Sequence, residues 1–484
     1  MVTRFGRGPW LGMLVGVVLS IGAGCIIGFL SNRLKGPYFA LSTIAFSQVL
    51  LIGVSRWRGF TAGGEGIPVP FRPGFATLGL GHAGWVYMAL AAALLCYGVE
   101  VYLERSRIGY QLAGVREDED AAEALGIPTR RLKVFAVALS AALTSVCGSL
   151  WAQYVGFVDP TYVFSVDLSV RFALNTIIGG MGTALGPYLG SILITSLETY
   201  LRHLPDHLRH RPDSRRPLRA GGARRRRGEA PRPEGPGVSV GTPILVLERV
   251  TKRFGGLTAV ADVSFTVPAG DLLGIIGPNG AGKTTLFNVI SGYYRPDGGR
   301  VVVAGHDVTG QAPHAICRLG LTRTFQLVKP FGNLSVSDNV MIGALTRLPS
   351  IRAARVEAER VVETCGLTAH ADARARTLPI GLRKRLEVAR ALATRPRLLL
   401  LDEVMAGLNA TELATIIDLI RRLHADGLTL ILIEHIMAAM MRLARRIVVL
   451  HHGETIAEGP PATIAQDRRV VDAYLGEEFV LAQA

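Results

Sequence analysis

The feature that most constrains the fold of this 484-residue chain is a glycine-rich loop, Gly277-Pro278-Asn279-Gly280-Ala281-Gly282-Lys283-Thr284-Thr285. It fits the pattern of a glycine, four residues and then Gly-Lys-Thr. The apolar run Leu272–Ile276 precedes it and predicts a buried strand, and Leu286–Ile290 continues as a helix. A strand, a loop of this kind and a helix, in this order, predict an α/β nucleotide-binding domain.

The loop has the composition that phosphate binding requires. Glycines let backbone N–H groups turn inward, and the N-terminus of the following helix adds a favourable dipole. In this pattern Lys283 reaches the β- and γ-phosphates, and the hydroxyl of Thr284 binds Mg²⁺. The competing interpretation is an ordinary glycine turn before a helix, which the flanking strand and helix disfavour. We therefore predict ATP and Mg²⁺ as cofactors.

Acidic residues follow a second apolar run downstream, Arg397–Leu401. We predict that Asp402 holds Mg²⁺ through a water molecule and that Glu403 polarises the water that attacks the γ-phosphate. The next predicted strand, 428–433, leads into His435, which in its neutral form can orient that water. An acidic pair after a strand is more often a helix cap or a solvated turn, so the interpretation depends on the glycine-rich loop.

Taken together, residues 243–484 resemble the ATPase domain of ABC transporters. The resemblance implies an α/β P-loop NTPase fold of ABC type, with an antiparallel β subdomain and a helical subdomain. It implies that Gln326 senses Mg²⁺ and contacts the membrane partner, and that Phe254 stacks on adenine; a core aromatic is the alternative for Phe254. The implied catalytic residues are Glu403, His435 and Gln326, and the implied metal-binding residues are Thr284, Gln326 and Asp402.

The segment Leu378–Leu386 lies where that family has its signature sequence, before a helix predicted over 387–394. Pro379 replaces the usual serine, while Gly381 remains and is implied to contact the ATP of a partner ATPase. This variant, the stretch Ala406–Asn409 and the tail 468–478 resemble the branched-chain amino-acid importers, in which two different ATPase subunits pair. The substituted signature is either a tolerated variant or a weakened half-site.

The first 204 residues predict an all-α transmembrane permease segment of about five or six helices. Almost uncharged runs near the length of about 20 residues that crosses a bilayer cover Trp10–Leu30, Tyr38–Val54, Ala83–Leu103 and Leu132–Tyr154. A fifth region, 168–201, is broken by glycines, which suggests two short helices. Buried soluble helices are the alternative for the set, and a secretory signal is the alternative for the first run.

A polar loop, 104–131, separates the third and fourth runs, and its arginines predict that it lies in the cytoplasm. Residues 117–127 predict a short amphipathic helix that resembles the element by which ABC permeases contact their ATPases; a solvated charged loop is the alternative. Other stretches resemble the branched-chain amino-acid permease: Arg33–Leu41, Trp57–Gly64 and Gly179–Pro187.

The resemblance implies an ATP-hydrolysing importer for branched-chain amino acids, multi-pass in a bacterial inner membrane, with the ATPase on the cytoplasmic face. Its implied partners are a second ATPase subunit, a second permease subunit and a periplasmic substrate-binding protein. The alternative is an ATPase-only energy module with a vestigial membrane segment. A third reading, a nucleic-acid-binding ABC protein, is disfavoured by the membrane runs.

Residues 205–242 are rich in Arg, Pro and Gly and predict a disordered linker that contributes much of the net charge of +15. Two short helices in 168–201 would leave residue 202 outside, away from cytoplasmic ATP. We therefore hypothesise an N-terminally truncated permease fused to its ATPase, with the linker as an out-of-frame translation of a lost helix. The scattered cysteines predict neither a disulfide framework nor a zinc site.

Overall fold

The structure, a computed structural model, describes residues 8–30, 37–70, 73–203 and 243–481. The chain forms two compact units. The first unit comprises 1–104 and 130–235, and the second comprises 105–129 and 236–484. The segment 105–129 therefore belongs to the second unit, although it connects helices of the first. The predicted linker over 205–242 lies outside the described residues.

The described residues up to 203 are almost entirely helical. Two short strands pair antiparallel, β1 (Ile67–Pro68) with β2 (Phe157–Val158). The helices are α1 (Pro9–Leu30), α2 (Pro37–Arg56), α3 (Arg58–Thr61), α4 (His82–Glu104), α5 (Arg107–Glu117), α6 (Glu119–Ala124), α7 (Thr129–Val155), α8 (Pro160–Val163), α9 (Val166–Gly180) and α10 (Gly186–His203).

Among the residues that the structure describes, five helical stretches are long and apolar enough to cross a membrane. Four of them correspond to the predicted apolar runs, and the fifth covers Pro160–Gly180. Their side chains are largely exposed in the first unit, which is expected of helices whose apolar surface faces lipid. The predicted helical permease segment is confirmed, with the small β1–β2 ladder as an addition.

The glycine-broken region forms two short helices, as predicted. Helices α9 and α10 run antiparallel, and at 15 and 18 residues they are about 22 Å and 27 Å long. Gly179 lies so close to Gly186 that a side chain at this position would collide with its carbonyl oxygen. Further along the pair, Asn175 Nδ2 donates to Ser191 Oγ at 3.2 Å. Glycines at the turn therefore allow the two helices to pack at short distance.

The described residues of the second unit form two sheets. A four-stranded antiparallel sheet has the order β4-β3-β6-β7, and a six-stranded sheet has the order β12-β11-β5-β10-β9-β8 with only the β11–β12 pair antiparallel. The strands are β3 (Pro243–Phe254), β4 (Leu257–Pro268), β5 (Leu272–Ile276), β6 (Gly298–Val303), β7 (His306–Asp307), β8 (Leu321–Arg323), β9 (Leu398–Asp402), β10 (Thr429–Ile433), β11 (Arg446–His451) and β12 (Glu454–Gly459).

Helices cover the six-stranded sheet and form a separate helical layer. They are α11 (Lys283–Ile290), α12 (Pro313–Leu319), α13 (Val336–Ala344), α14 (Ile351–Thr364), α15 (Ile380–Ala393), α16 (Ala410–Ala425), α17 (Met437–Leu443), α18 (Pro461–Ile464) and α19 (Arg468–Leu481). Strands β5, β9 and β10 are buried throughout, as parallel strands with both faces covered must be. The α/β fold with an antiparallel β subdomain and a helical subdomain is thus confirmed.

Two predicted helices have different bounds in the structure. The helix expected over 387–394 begins earlier, at Ile380, because Pro379 is its N-cap and the fixed φ of proline suits a helix start. The single helix expected over 117–127 is interrupted at Asp118, whose side chain accepts the N–H of Ala121 and caps α6. The preceding helix α5, capped by Ser106, was not predicted.

Candidate functional site

The glycine-rich loop connects β5 to α11 and turns sharply at glycines. Gly277, Gly280 and Gly282 have φ angles of 153°, 78° and 96°, a region that side chains disfavour. A Cβ atom at Gly277 would collide with the carbonyl oxygen of Leu450, and one at Gly282 with that of Ala259. The backbone conformation therefore favours glycine at all three positions, and at Gly277 and Gly282 the lack of space requires it as well.

Within this loop the lysine side chain points back along the backbone. Lys283 is 6% exposed, and its Nζ donates to the carbonyl oxygens of Gly277 at 2.6 Å and Pro278 at 2.7 Å. Thr284 and Thr285 are half-buried in the first turn of α11. Asn279 is exposed at the tip of the loop, whereas Ala281 is buried. The predicted phosphate-binding residues thus form one continuous turn at the carboxyl end of β5.

The carboxyl ends of β9 and β10 bring the three predicted catalytic side chains together. The Glu403 carboxylate accepts a hydrogen bond from Gln326 Nε2 at 2.9 Å through one oxygen and contacts His435 Nε2 at 2.7 Å through the other. Gln326 and His435 are exposed, while Glu403 is half-buried. These residues come from three separate segments, so the parallel sheet is what places them within hydrogen-bonding distance.

Asp402, the last residue of β9, has different surroundings. It is completely buried, its Oδ2 pairs with Arg323 Nη2 at 3.2 Å, and its Oδ1 has no partner among the described residues. Burial raises the pKa of Asp402 to about 6, and the charge of Arg323 opposes that rise. An ionised carboxylate with an unused oxygen is a suitable ligand for a hard divalent cation or its bound water.

Arg323 is the centre of a buried polar cluster that sequence reasoning missed. Its Nη1 donates to Asn288 Oδ1 at 2.5 Å and to Ser291 Oγ at 3.2 Å, and its guanidinium lies over the rings of Tyr293 and Phe325. Burial lowers the pKa of Arg323. The arginine directly precedes the Thr324-Phe325-Gln326 stretch, which was the available signal.

The aromatic residue predicted to stack on adenine lies at the end of β3. Phe254 is 43% exposed, so the alternative of a core aromatic is wrong. Its ring packs edge-on against Tyr294, with a centroid distance of 5.2 Å, and Lys252 Nζ lies 5.4 Å from the ring centre. An exposed aromatic face next to a cation is suited to a flat heterocycle. Tyr294, just after α11, was not predicted.

The signature segment opens helix α15. Gly381 is buried, and a Cβ atom there would collide with the Glu412 side chain of α16. Two later residues of α15 contact the stretch around Gln326: Glu387 Oε1 accepts the Phe325 N–H at 2.6 Å, and Arg390 Nη1 donates to the Lys329 carbonyl. The signature helix is therefore hydrogen-bonded to the loop that carries Gln326.

The segment 105–129 packs on the helical part of the second unit. Ala121, Ala122, Leu125 and Ile127 are at most 3% exposed. The alternative of a solvated charged loop is therefore wrong. A Cβ atom at Gly126 would lie 3.1 Å from the sulfur of Cys317 on α12, a closer approach than real Cβ atoms usually make, and its φ is 87°.

Polar contacts fix the edges of this docked segment. Glu117 accepts from the side-chain amide of Asn333 at 2.9 Å, and Lys329 Nζ lies 3.4 Å from both Asp118 and Asp120. Elsewhere along the segment, the Tyr293 hydroxyl donates to the Asp120 carbonyl at 2.7 Å, His314 Nδ1 lies 3.3 Å from Glu123, and Thr346 bonds the Leu125 carbonyl. An acidic segment is thus held by basic and hydrogen-bonding side chains around an apolar centre.

Three family models match separate parts of the chain. "Branched-chain amino acid transport system / permease component" matches residues 1–206, "ABC transporter" matches 260–406, and "Branched-chain amino acid ATP-binding cassette transporter" matches 454–480. The permease match includes the segment 105–129, which belongs to the second structural unit, and the other two matches lie entirely in that unit.

Individual proteins resemble the C-terminal half. The high-affinity branched-chain amino acid transport ATP-binding protein BraF of Pseudomonas aeruginosa is 39% identical over 251 residues, which are 49% of this chain and 98% of that protein. LivG of Escherichia coli, described in the same words, is 38% identical over the same shares. A crystal structure of a nucleotide-free ATP-binding cassette from an ABC transporter is 32% identical, covers 48% of this chain and 99% of that one, and has a TM-score of 0.45.

Proposed function

Because the chain belongs to the ABC transporters, with a permease segment and an ATP-binding cassette on one polypeptide, we propose that it drives the import of branched-chain amino acids. It is a membrane protein whose cassette binds and hydrolyses ATP, as this family does. The substrate class comes from two of the matching family models and from the relatives. Their descriptions name branched-chain amino acids for the permease segment and for the cassette. The domain bounds 1–204, 205–242 and 243–484 remain our proposal.

One observation carries the proposed reaction: the Glu403 carboxylate lies between Gln326 and His435, at the sheet edge where the glycine-rich loop also begins. A carboxylate held from both sides is positioned to accept a proton from, or to polarise, a water molecule. His435 offers a second hydrogen-bonding group toward the same region. We assign Glu403 as the residue that polarises the attacking water, with Gln326 and His435 as its orienting partners.

The nucleotide itself is assigned to the loop and the aromatic face. Residues 277–285 would bind the phosphates through backbone N–H groups, with Lys283 moving from its loop carbonyls to the phosphates. Phe254 would take the adenine ring. Gly381 would face the ATP of a partner cassette, and the close approach of the Glu412 side chain leaves no room for a larger residue there.

The residues around Asp402 fit Mg²⁺. The unpartnered Oδ1 of Asp402 is the observation that supports this fit. Together with the hydroxyl of Thr284 and the amide oxygen of Gln326 it would supply oxygen donors, which Mg²⁺ prefers. When bound, Mg²⁺ supplies charge that offsets the negative charge of the phosphates. A nearby cation would also favour the ionised form of Asp402, whose pKa burial raises.

The docked segment 105–129 supports a coupling role, since it connects α4 to α7 of the permease segment and is buried against the ATPase part of its own unit. We propose that the finer assembly includes a second ATPase subunit, a second permease subunit and a periplasmic binding protein. We also propose a bacterial inner membrane, with the ATPase facing the cytoplasm where ATP is available. This orientation requires that α10, which is not among the five membrane-length apolar stretches of the described residues, does not cross the bilayer.

Uptake by the source cells tests this function with the native partners present. Deletion of the gene is expected to lower uptake of labelled leucine, isoleucine and valine, and the wild-type gene to restore it. Glu403→Gln is expected to lower hydrolysis at least about 100-fold and to leave uptake unrestored. Glu363→Gln, an exposed glutamate on α14, is the matched control and is expected to restore uptake.

Two results would contradict the proposal. Normal uptake of all three amino acids after deletion would exclude them as the main substrates. Full restoration of uptake by Glu403→Gln, together with undiminished ATP hydrolysis, would exclude the assigned role of this carboxylate. Loss of ATP hydrolysis with uptake unaffected would favour the alternative of an energy module whose membrane segment does not transport.

A further inference from the structure

A second acidic residue lies beside the catalytic carboxylate and takes no part in the chemistry described above. Glu434 follows β10 as Glu403 follows β9, and these two strands are adjacent and parallel. Glu434 is 3% exposed, and its Oε1 accepts the backbone N–H of Met405 at 2.7 Å. Its Oε2 has no hydrogen-bond partner among the described residues. A buried carboxylate thus holds the chain two residues beyond Glu403.

The backbone of Glu403 itself is constrained. Its φ angle is +49°, in the left-handed region that non-glycine residues rarely adopt, and such conformations persist only when the surroundings fix them. Its N–H donates to the Ile433 carbonyl at 2.9 Å, and its own carbonyl accepts from Lys384 Nζ at 2.7 Å. Lys384 is 5% exposed and comes from the signature helix α15.

We propose that Glu434 and Lys384 are positioning residues for the catalytic carboxylate of Glu403. Lys384 holds the carbonyl of Glu403, and Glu434 holds the N–H of Met405, so the two side chains fix the backbone on the C-terminal side of the strained residue. Its carboxylate can then stay between its two partners. The inference rests on the proposed role of Glu403 in hydrolysis.

The charges of the two positioning residues support each other. Burial raises the pKa of Glu434 to about 7, while the Met405 N–H and the charge of Lys384 favour its ionised form. Burial lowers the pKa of Lys384, and the charges of Glu434, Glu387 and Glu403 oppose that change. Removal of either charge leaves the other buried with less compensation, so both are expected to matter even though neither touches the attacking water.

Steady-state hydrolysis of Mg-ATP by the full chain in lipid nanodiscs is the first test. Glu434→Ala and Lys384→Met each remove one hydrogen bond between a buried side chain and the backbone. Each is expected to lower kcat by about tenfold to a hundredfold while changing KM for ATP by less than about threefold. Lys384→Arg keeps the charge and is expected to recover most of the activity. A loss confined to kcat, with rescue by the conservative variant, is the result that a general packing defect would not give.

Hydrogen exchange supplies a readout that does not depend on turnover. In Glu434→Ala, amides in 403–409 are expected to exchange faster, while peptides from the rest of the second unit stay unchanged. Glu434→Gln keeps an oxygen for the Met405 N–H and is expected to keep most of the protection. Glu363→Ala, on an exposed face of α14, is the control and is expected to match the wild type.

The outcomes separate this inference from the function on which it rests. Wild-type kcat and wild-type exchange in both Glu434→Ala and Lys384→Met would overturn the positioning role. A uniform rise of hydrogen exchange throughout the second unit would also overturn it, if Glu434→Gln and Lys384→Arg showed the same rise as the other two variants. Undiminished hydrolysis by Glu403→Gln would instead refute the proposed role of Glu403, whereas an inactive Glu403→Gln with fully active positioning variants would refute the inference alone.

Discussion

Removal of one hydroxyl group should loosen the contact between the docked segment 105–129 and the ATPase. The Tyr293 hydroxyl donates to the carbonyl of Asp120 at 2.7 Å, across 173 residues of sequence. Tyr293→Phe deletes this bond and leaves the ring in its edge-on contact with Phe325 and under the guanidinium of Arg323. Because the hydroxyl is not part of the nucleotide site, ATP affinity should stay unchanged.

The magnitude follows from a single neutral hydrogen bond. Such a bond contributes about 1 kcal/mol, and here the donor is removed together with its bond, so no buried donor is left unsatisfied. The opening equilibrium of the docked segment should therefore increase about fivefold. Amides of α6 (Glu119–Ala124) and the following turn should exchange with deuterium faster by that factor when the full chain is studied in nanodiscs.

Tyr294→Phe is the matched control. It removes a hydroxyl from the adjacent tyrosine, whose ring instead packs against Phe254. Equal exchange in residues 119–127 for the wild type and Tyr293→Phe would refute the reasoning. Equally faster exchange in Tyr293→Phe and Tyr294→Phe would also refute it, because the effect would then not depend on the bond to Asp120.

Three further outcomes are expected. Gly282→Ala should lower the free energy of unfolding by about 1–3 kcal/mol because of its φ of 96°, and Gly298→Ala, which has ordinary contacts, should not. The Cys96 and Cys147 sulfur atoms lie 4.0 Å apart, so mild oxidation should form a disulfide between them within one chain. Intact mass measured under denaturing conditions checks this, and an unchanged mass would contradict the packing of α4 against α7. Burial raises the pKa of Glu387 from 4.5 to about 7, so the protonated carboxyl stabilises the fold by about 3 kcal/mol below pH 4.5, and this stabilisation is lost as the pH rises through 7. Glu387→Gln should flatten this decline of the free energy of unfolding with pH, as measured by urea unfolding followed by pulse proteolysis. An unchanged slope would contradict the prediction.

The nucleotide loop and the strands around it could be predicted because their sequence pattern is local. The run Leu272–Ile276 is entirely buried in the structure, as predicted. The glycines that the motif spacing places in the following loop have the positive φ angles that glycine adopts most easily. The membrane helices were equally predictable, since a length near 20 apolar residues is itself the physical requirement. Their observed bounds differ from the predicted ones by at most three residues.

The residues that sequence reasoning missed act across long separations. Arg323 and Asp402 are 79 residues apart, and their ion pair depends on the adjacent placement of β8 and β9. Lys384 and Glu434 looked like ordinary charged residues at the edges of a helix and a strand. Only the parallel register of β9 and β10 shows that Glu434 lies against the chain beyond Glu403. No periodicity in the sequence contains that information.

The docked segment has a consequence for assembly, because it is covalently joined to the surface that it contacts. A permease and an ATPase on separate chains must associate at their cellular concentrations. This requires a high-affinity interface between them. A tethered segment instead experiences an effective concentration that is set by the length and stiffness of the chain joining it to that surface. Weak contacts such as the 3.4 Å pairs of Lys329 with two aspartates can then suffice for high occupancy. Substitutions that would separate two subunits should here change only the fraction of time for which the segment is engaged.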